Sequence, residues 1–412
     1  MYISVLYLIK NIKSYWNNPL YKNSFFIALG RFIDVGFGFF FWTIAARLYS
    51  ITDVGIATAL ISSLGLVIAF SRFGFDTAII RFMPLNDHNK VFNTCLWITN
   101  GATIAVSLIY LFLIDFISPE LVFIKEYIPI FILFAIANSI TLISGNAFLS
   151  LRKADLKFIQ NLIMGIRLPL LIPLVFLGSL GLFFSVGITY FVASFFALIL
   201  IKRQIHLAFQ IDRDFTKKTF RFSLLNYLSS LFQSLPILIM PILIVNLNSP
   251  EEAALYYIAF AIGNLVLIIP EAMTTSFFVE GSHGTNLRKG AIRTLTVTYA
   301  ILIPAIFIII TFGNMFLGLF GQEYLGALDL LRIIAVSCIF VTIYNLFIPL
   351  QNIRLKVEGI VVINLVRFVL LLGLSYIFLI FFGITGAGYA WLITYMILGI
   401  GILMFVKREG WI

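Results

Sequence analysis

The sequence predicts an all-α polytopic membrane protein that crosses the bilayer about twelve times. Of its 412 residues, 61% are hydrophobic and 11% are charged, whereas a soluble domain has about 45–50% apolar and about 25% charged residues. One span needs about 20 apolar residues, and the chain contains twelve such runs separated mostly by short connections. Too few charges remain to cover a water-facing surface, so a soluble globular protein is excluded.

The twelve predicted spans are bounded by charged or turn-forming residues. Before them, residues 1–21 carry Lys10, Lys13 and Trp16 among apolar residues. This pattern is typical of an amphipathic helix at the cytoplasmic interface and lacks the cleavage site of a signal peptide. The predicted spans are 23–46, 54–73, 92–115, 127–150, 157–178, 182–201, 222–246, 253–276, 293–318, 328–350, 358–381 and 385–406.

The positive charges predict the orientation of these spans. With the N-terminus placed inside, 21 of the 28 Lys and Arg residues lie in inward connections or tails, and only Arg47 and Lys125 lie outside. Cytoplasmic loops carry such an excess of Lys and Arg. We therefore expect a multi-pass protein of the cytoplasmic (inner) cell membrane with both termini in the cytoplasm. The net charge of +10 then follows from topology, and no nucleic-acid partner is needed to explain it.

An internal repeat divides the chain into two halves. The longest connection, residues 204–221, separates a predicted bundle of six helices over 22–203 from a second over 222–408. Six is an even number, so both halves begin inside and the repeat is parallel. We expect two parallel six-helix bundles around a central cavity, as in a transporter. The matching residues are Gly178 and Gly181 with Gly383 and Gly386 at a shift of 205, and Leu48–Asp53 with Leu247–Glu252 at a shift of 199.

Several charged residues lie inside predicted spans, where each costs at least about 2.5–3.5 kcal/mol and usually faces a cavity or a partner. Some have a local explanation, because an arginine can pair with a carboxylate one helical turn away or extend to the headgroups. Arg167 has no carboxylate three or four residues away. We expect a hydrated cationic cavity that grips phosphate or pyrophosphate through guanidinium groups. The predicted substrate-binding residues are Arg31, Asp34, Arg72, Arg81, Arg167 and Arg367.

Two prolines lie within the seventh predicted span. Pro236 and Pro241 each remove a helix hydrogen bond and favour a kink. The bend is interpreted either as a gate that rocks or straightens during transport, or as a static kink.

Motifs for catalysis and cofactors are missing from the sequence. It contains no G-x-x-x-x-G-K-[ST] phosphate loop, and His88, His206 and His283 are far apart without metal-ligand spacing. The predicted outer loops are too short for a catalytic domain. We therefore expect neither a metal, nor a cofactor, nor an enzyme active site.

The end of the first span and the second span carry a recognisable motif. Ala46 to Gly55 reads ARLYSITDVG, followed by Phe73-Gly74-Phe75-Asp76 and then Arg81. This stretch resembles the O-antigen (Wzx-type) flippases and related polysaccharide-biosynthesis membrane proteins. The predicted topology, twelve spans in two halves, is similar to that of the multidrug/oligosaccharidyl-lipid/polysaccharide exporter superfamily, which includes these flippases.

The resemblance implies a flippase that moves an isoprenoid-diphosphate-linked oligosaccharide to the outer leaflet while its lipid tail stays in the bilayer. The first, second, seventh and eighth spans would line the cavity. It leaves open whether transport is coupled to the entry of H⁺ or Na⁺; for such coupling, Asp34 is the carboxylate expected to titrate. It also implies a polysaccharide polymerase as a functional partner. Two alternatives remain open: a drug/cation antiporter of the same fold, which needs more cavity carboxylates than arginines, and a membrane polysaccharide polymerase or acyltransferase.

Overall fold

The computed structural model describes residues 19–282, 286–354 and 356–408, and these ranges are helical with no β-strand. Short 3₁₀ turns connect several of the helices. The fourteen α-helices of the described residues are α1 Pro19–Leu48, α2 Ile51–Ser71, α3 Phe75–Phe82, α4 His88–Ile117, α5 Ile128–Ser150, α6 Ala154–Ile163, α7 Arg167–Leu170, α8 Ser179–Lys202, α9 Arg213–Leu247, α10 Pro250–Ser282, α11 Leu287–Gly318, α12 Leu328–Ile353, α13 Val357–Phe382 and α14 Ile384–Arg408.

The predicted fold class is confirmed. Eleven helical segments of the described residues are long and apolar enough to cross a bilayer. The fifth predicted span, 157–178, differs, because it is a series of short pieces that includes the ten-residue α6 and the four-residue α7. Pro169 and Pro173 lie in this segment, and a proline both lacks the N–H that continues a helix and clashes with the preceding turn.

Two predicted segments outside the spans have different outcomes. The interfacial helix predicted for residues 1–21 lies outside the described residues, except for its last three, which begin α1. The connection predicted at 204–221 is non-helical only up to Asp212, after which α9 begins. Side chains of α4 fix this connection: Asn93 Nδ2 donates to the His206 carbonyl at 2.9 Å and Trp97 Nε1 donates to the Ala208 carbonyl at 2.8 Å.

The chain folds into two compact units. The first contains the described residues up to Phe41 together with Phe70–Leu113 and Phe123–Leu224. Its core includes Phe75 and Ile79 of α3 and Phe148 of α5, all at most 2% exposed. We call this the first unit.

The second unit contains Trp42–Ala69, Ile114–Val122 and the described residues from Leu225 onward. Aromatic side chains of α10, α12 and α14 pack in its interior: the Phe260 and Trp391 rings are 5.1 Å apart, and the Tyr344 and Tyr395 rings are 5.5 Å apart. The division of the chain into two six-helix bundles at residues 204–221 stays a prediction.

The last helix of each predicted half begins in the same way. Gly178 and Gly383, which correspond at the shift of 205, have φ values of +55° and +57°, a region that residues with a Cβ rarely adopt. Each glycine carbonyl then accepts the N–H three residues later, from Gly181 and Gly386 respectively, at 2.9 Å. The local backbone at this position therefore agrees with the repeat seen in the sequence.

Candidate functional site

Helix α1 lies beside the interrupted fifth segment, which we define as Ala154–Leu177. Their contacts follow the same order in both sequences, so the two elements run parallel. From the N-terminal end, the contacts are Lys22 Nζ to Asp155 Oδ2 at 3.2 Å, the Phe26 ring to the Phe158 ring at 5.5 Å, Asp34 Oδ2 to Asn161 Nδ2 at 2.7 Å and the Phe41 ring to the Arg167 guanidinium carbon at 5.5 Å.

The fifth segment loses regular α-helical geometry at mid-length. A 3₁₀ turn, Met164–Ile166, joins α6 to α7, and a second 3₁₀ turn, Val175–Leu177, follows a stretch of simple turns. Irregular backbone at membrane depth is tolerated where it is buried in protein or lines a water-filled cavity. Interrupted helices of this kind form the substrate and ion sites of many transporters, so the break is the first indication of a site in the first unit.

Charged and amide side chains gather at this break. Asp34 of α1 accepts a hydrogen bond from Asn161, and Lys157 lies one helical turn before Asn161 and hence on the same face of α6. Arg167 contacts Phe41, which stands two helical turns after Asp34 on α1 and hence on the same face of that helix. We call Asp34, Lys157, Asn161 and Arg167 the Asp34 cluster. It combines two cations, one carboxylate and one amide within a single compact unit.

The position of Lys157 is set by helix α5. Lys157 Nζ donates to Gln160 Oε1 at 3.3 Å, and Gln160, which is 1% exposed, donates in turn to the Thr141 carbonyl at 2.9 Å. Gly145 of α5 lies directly opposite, where a Cβ would come within 2.8 Å of Lys157 Nζ. The absence of a side chain at Gly145 therefore makes room for the ammonium group.

Arg167 follows the break directly and is partly buried. Its guanidinium lies 5.5 Å from the Phe41 ring centroid, a distance typical of a cation–π contact. Its Nε is buried and has no hydrogen-bond partner. An arginine with an unsatisfied buried donor has capacity for a further acceptor.

The other predicted site residues of the first unit lie in three places. Arg31 is exposed on α1, three residues before Asp34. Arg72 Nη1 pairs with Asp76 Oδ2 at 3.2 Å, and Asn146 Nδ2 donates to the Asp76 carbonyl at 2.8 Å. Arg81 is exposed near the end of α3. Of these residues, Arg31 is nearest in sequence to the Asp34 cluster.

Arg367 lies in the second unit, in different surroundings. It is 2% exposed, and its guanidinium donates to the Gln233 carbonyl at 2.8 Å and to the Tyr344 hydroxyl at 3.3 Å. Its guanidinium carbon also lies 5.9 Å from the Tyr395 ring centroid. Within the described residues no carboxylate forms an ion pair with it. We call Arg367, Gln233, Tyr344, Asn364 and Tyr395 the Arg367 cluster.

The two predicted gating prolines lie inside α9, which continues through both of them. Arg367 donates to the carbonyl of Gln233, three residues before Pro236. Pro236 cannot donate to the carbonyl of Phe232, the residue just before Gln233, so this bond lies next to the position where α9 lacks a helical hydrogen bond.

Sequence reasoning missed Lys157, Gln160 and Asn161. Lys157 was counted among the cytoplasmic residues that set the topology, and no function was given to the two amides. The signal was present in the sequence: three polar residues stand within five positions of an apolar segment that continues to Pro169 and Pro173. Polar residues within a membrane segment usually face a cavity or one another.

A family model described as "Polysaccharide biosynthesis protein" matches residues 20–278, which is more than half of the chain. The chain belongs to this family. No curated protein sequence matches it significantly.

Solved structures of membrane transporters have the same fold. An inward-facing multidrug resistance MATE family transporter of the MOP superfamily has a TM-score of 0.72 and 16% identity, over 91% of this chain and 94% of that one. A MOP superfamily transporter from Pyrococcus furiosus, described as having a binding pocket of reversed polarity that suggests a different function, has a TM-score of 0.64 and 15% identity, over 96% of each chain. Together with the eleven apolar helices, these matches show a multi-pass membrane protein with the fold of MOP superfamily transporters.

Proposed function

We propose that the protein is a flippase of the cytoplasmic (inner) membrane. It moves an isoprenoid-diphosphate-linked oligosaccharide from the cytoplasmic to the outer leaflet, for the synthesis of a cell-surface polysaccharide of the O-antigen kind. The observation that carries the proposal is the Asp34 cluster, in which Asn161 joins Asp34 to the interrupted membrane helix that carries Lys157 and Arg167. Membership of the polysaccharide biosynthesis protein family supports the same substrate class.

The chemistry of the cluster suits a diphosphate. A guanidinium binds two phosphate oxygens at once, and an ammonium group adds a compact point charge. Arg167 and Arg31 are proposed to hold the diphosphate, and the nearby Asn161 amide suits a phosphate or sugar oxygen. Arg72, Arg81 and Arg367 stay proposed cavity residues, and Pro236 and Pro241 stay proposed gating residues. The sugar crosses in water while the isoprenoid tail remains in lipid.

The charge of the cluster weighs against a drug/cation antiporter of the same fold. Transport of organic cations needs carboxylates in excess, because two cations near the substrate would repel it. In the Asp34 cluster the two cations outnumber the one carboxylate. A membrane polymerase would need an acid–base pair at its reacting bond, and nothing in the cluster favours that role over binding.

Transport can be measured with purified protein in liposomes. A fluorescent isoprenoid-diphosphate oligosaccharide is placed in both leaflets, and a membrane-impermeant reductant quenches the label that reaches the outer leaflet. We expect liposomes with the protein to lose all of the signal and protein-free liposomes to lose only the outer-leaflet share. Equal loss in both would contradict the proposed function. Efflux of an organic cation by the same liposomes would instead support the antiporter.

A further inference from the structure

The Asp34 cluster contains two groups whose roles the proposed function leaves open, Lys157 and the carboxylate of Asp34. Cations in a membrane segment need a counter-charge whether or not a substrate is bound, because a lone charge there is costly. In the structure the counter-charge comes from the protein itself. Asn161 holds the Asp34 carboxylate at 2.7 Å, one helical turn from Lys157 on α6, and Arg167 contacts Phe41, two helical turns after Asp34 on α1.

The contacts leave Lys157 and Arg167 with unused binding capacity. Lys157 has three N–H donors, and one of them binds Gln160 Oε1 at 3.3 Å. Arg167 Nε is buried without an acceptor. An incoming anion with several oxygens, such as a diphosphate, can accept from donors on both residues, whereas the Asp34 carboxylate accepts from Asn161 and, within the described residues, forms an ion pair with neither cation.

We propose that Asp34 is an internal anion that competes with the diphosphate of the substrate for Lys157 and Arg167, and that Lys157 is a specificity-determining ligand of that diphosphate. This inference rests on the proposed function. In the empty site Asp34 neutralises the cations. When the diphosphate binds, it takes over their charge, and Asp34 keeps its bond to Asn161.

The competition has a consequence for transport. A site with two cations and no competing carboxylate would bind a diphosphate tightly and release it slowly. Asp34 lowers that affinity, because its negative charge repels the bound diphosphate and because it restores neutrality when the diphosphate leaves. Transport needs binding that is strong enough for entry and weak enough for release, as in conduction through multi-site channels.

The test measures binding of farnesyl diphosphate, a short isoprenoid diphosphate, to the purified full chain in lipid nanodiscs by titration calorimetry. We expect Lys157→Met to weaken binding by about tenfold or more, the loss of one charge-assisted contact. We expect Asp34→Asn to strengthen binding by about tenfold, because the amide still accepts from Asn161 but carries no charge. The opposite directions of the two changes distinguish competition from simple damage to the site.

Two matched variants control for charge alone. Lys153→Met removes an exposed lysine just before α6, and Asp214→Asn removes an exposed carboxyl at the start of α9. Both are expected to bind like the unchanged protein. Farnesol, which lacks the diphosphate, is expected to bind equally to all variants, and inorganic pyrophosphate to follow the same order as farnesyl diphosphate.

The outcomes separate this inference from the proposed function. If the unchanged protein binds farnesyl diphosphate but Lys157→Met binds equally well, or if Asp34→Asn weakens binding, the inference is wrong and the proposed function stands. If the unchanged protein prefers farnesol or does not bind farnesyl diphosphate at all, the proposed substrate class is wrong.

Discussion

The Asp34 and Arg367 clusters each centre on charged residues inside predicted membrane spans, one in each compact unit, but they have different chemistry. In the first unit, Asn161 donates to Asp34 of α1. In the second unit, Asn364 donates to the carbonyl and hydroxyl of Ser229 of α9, at 3.1 Å and 2.9 Å. Each asparagine thus joins its helix, α6 or α13, to the first helix of a predicted half, α1 or α9. At the shift of 199 seen between the halves, the residue that corresponds to Asp34 is Gln233.

The residues around each asparagine account for the difference. Four positions before Asn161 stands Lys157, whereas four positions before Asn364 stands Ile360, which is 6% exposed. The first cluster contains a carboxylate, that of the exposed residue Asp34. Arg367 instead is buried against tyrosine rings and donates a hydrogen bond to a backbone carbonyl. The comparison teaches that an arginine inside a membrane span can serve either a ligand or a neighbouring helix, and that its partners distinguish the two roles.

The largest expected effect is the loss of transport when Arg167 is replaced, because only the Asp34 cluster is proposed to bind the diphosphate directly through its arginine. Arg167→Ala removes a guanidinium with an unsatisfied donor at the break in the fifth segment, so we expect transport in liposomes to be abolished while membrane insertion is unchanged. Arg31→Ala is expected to behave in the same way. Arg203→Ala, which removes an exposed arginine after α8, is the control. Full transport by both Arg31→Ala and Arg167→Ala would contradict a cationic substrate site.

The second effect is on stability. Arg367→Met removes charged hydrogen bonds to the Gln233 carbonyl and the Tyr344 hydroxyl, and we expect the free energy of unfolding to fall by about 2 kcal/mol. Thermal unfolding in nanodiscs measures it. If the role of Arg367 is to stabilise α9, we expect the folded protein to bind farnesyl diphosphate as the unchanged protein does. Weaker binding with unchanged stability would instead support the ligand role predicted from the sequence, and the two clusters would then be alike.

The third effect is on α9, to which Arg367 is bonded. Pro236→Ala restores the N–H that the helix lacks at this position, so we expect a more stable protein with slower transport if the bend opens and closes. Pro304→Ala in α11, which removes an exposed helical proline, is the control. An unchanged transport rate in Pro236→Ala would show that the bend predicted from the prolines is a static kink rather than a gate.

The smallest expected effect is at Gly145. Gly145→Ala places a methyl group 2.8 Å from both Lys157 Nζ and Gln160 Oε1, and the flexible lysine can move away. We expect farnesyl diphosphate binding to weaken by about threefold, because the lysine is displaced rather than lost. Gly101→Ala of α4, where a Cβ meets nothing within 4 Å, is the control. A Gly145→Ala protein that binds as tightly as the unchanged one would show that α5 does not position Lys157.

Much of the fold could be predicted from the sequence, because apolar runs long enough to span a bilayer have few alternative structures. The fifth span shows the limit. It is apolar enough to be predicted as a span, but Pro169 and Pro173 prevent a continuous helix, and composition alone does not say where a backbone will break. The ionisable residues were visible in the sequence, but their partners were not, since Asp34 and Asn161 are 127 positions apart.

The sequence by itself determined an all-α membrane protein, the approximate spans and the presence of charges inside them, because hydrophobic length and charge patterning act locally along the chain. The tertiary structure alone decided which charges meet. It brought Asn161, one helical turn after Lys157, to Asp34, and it enclosed Arg367 among tyrosines. The physical reason is that electrostatic and hydrogen-bond energies depend on distances between residues far apart in sequence, and only the packing of the helices sets those distances.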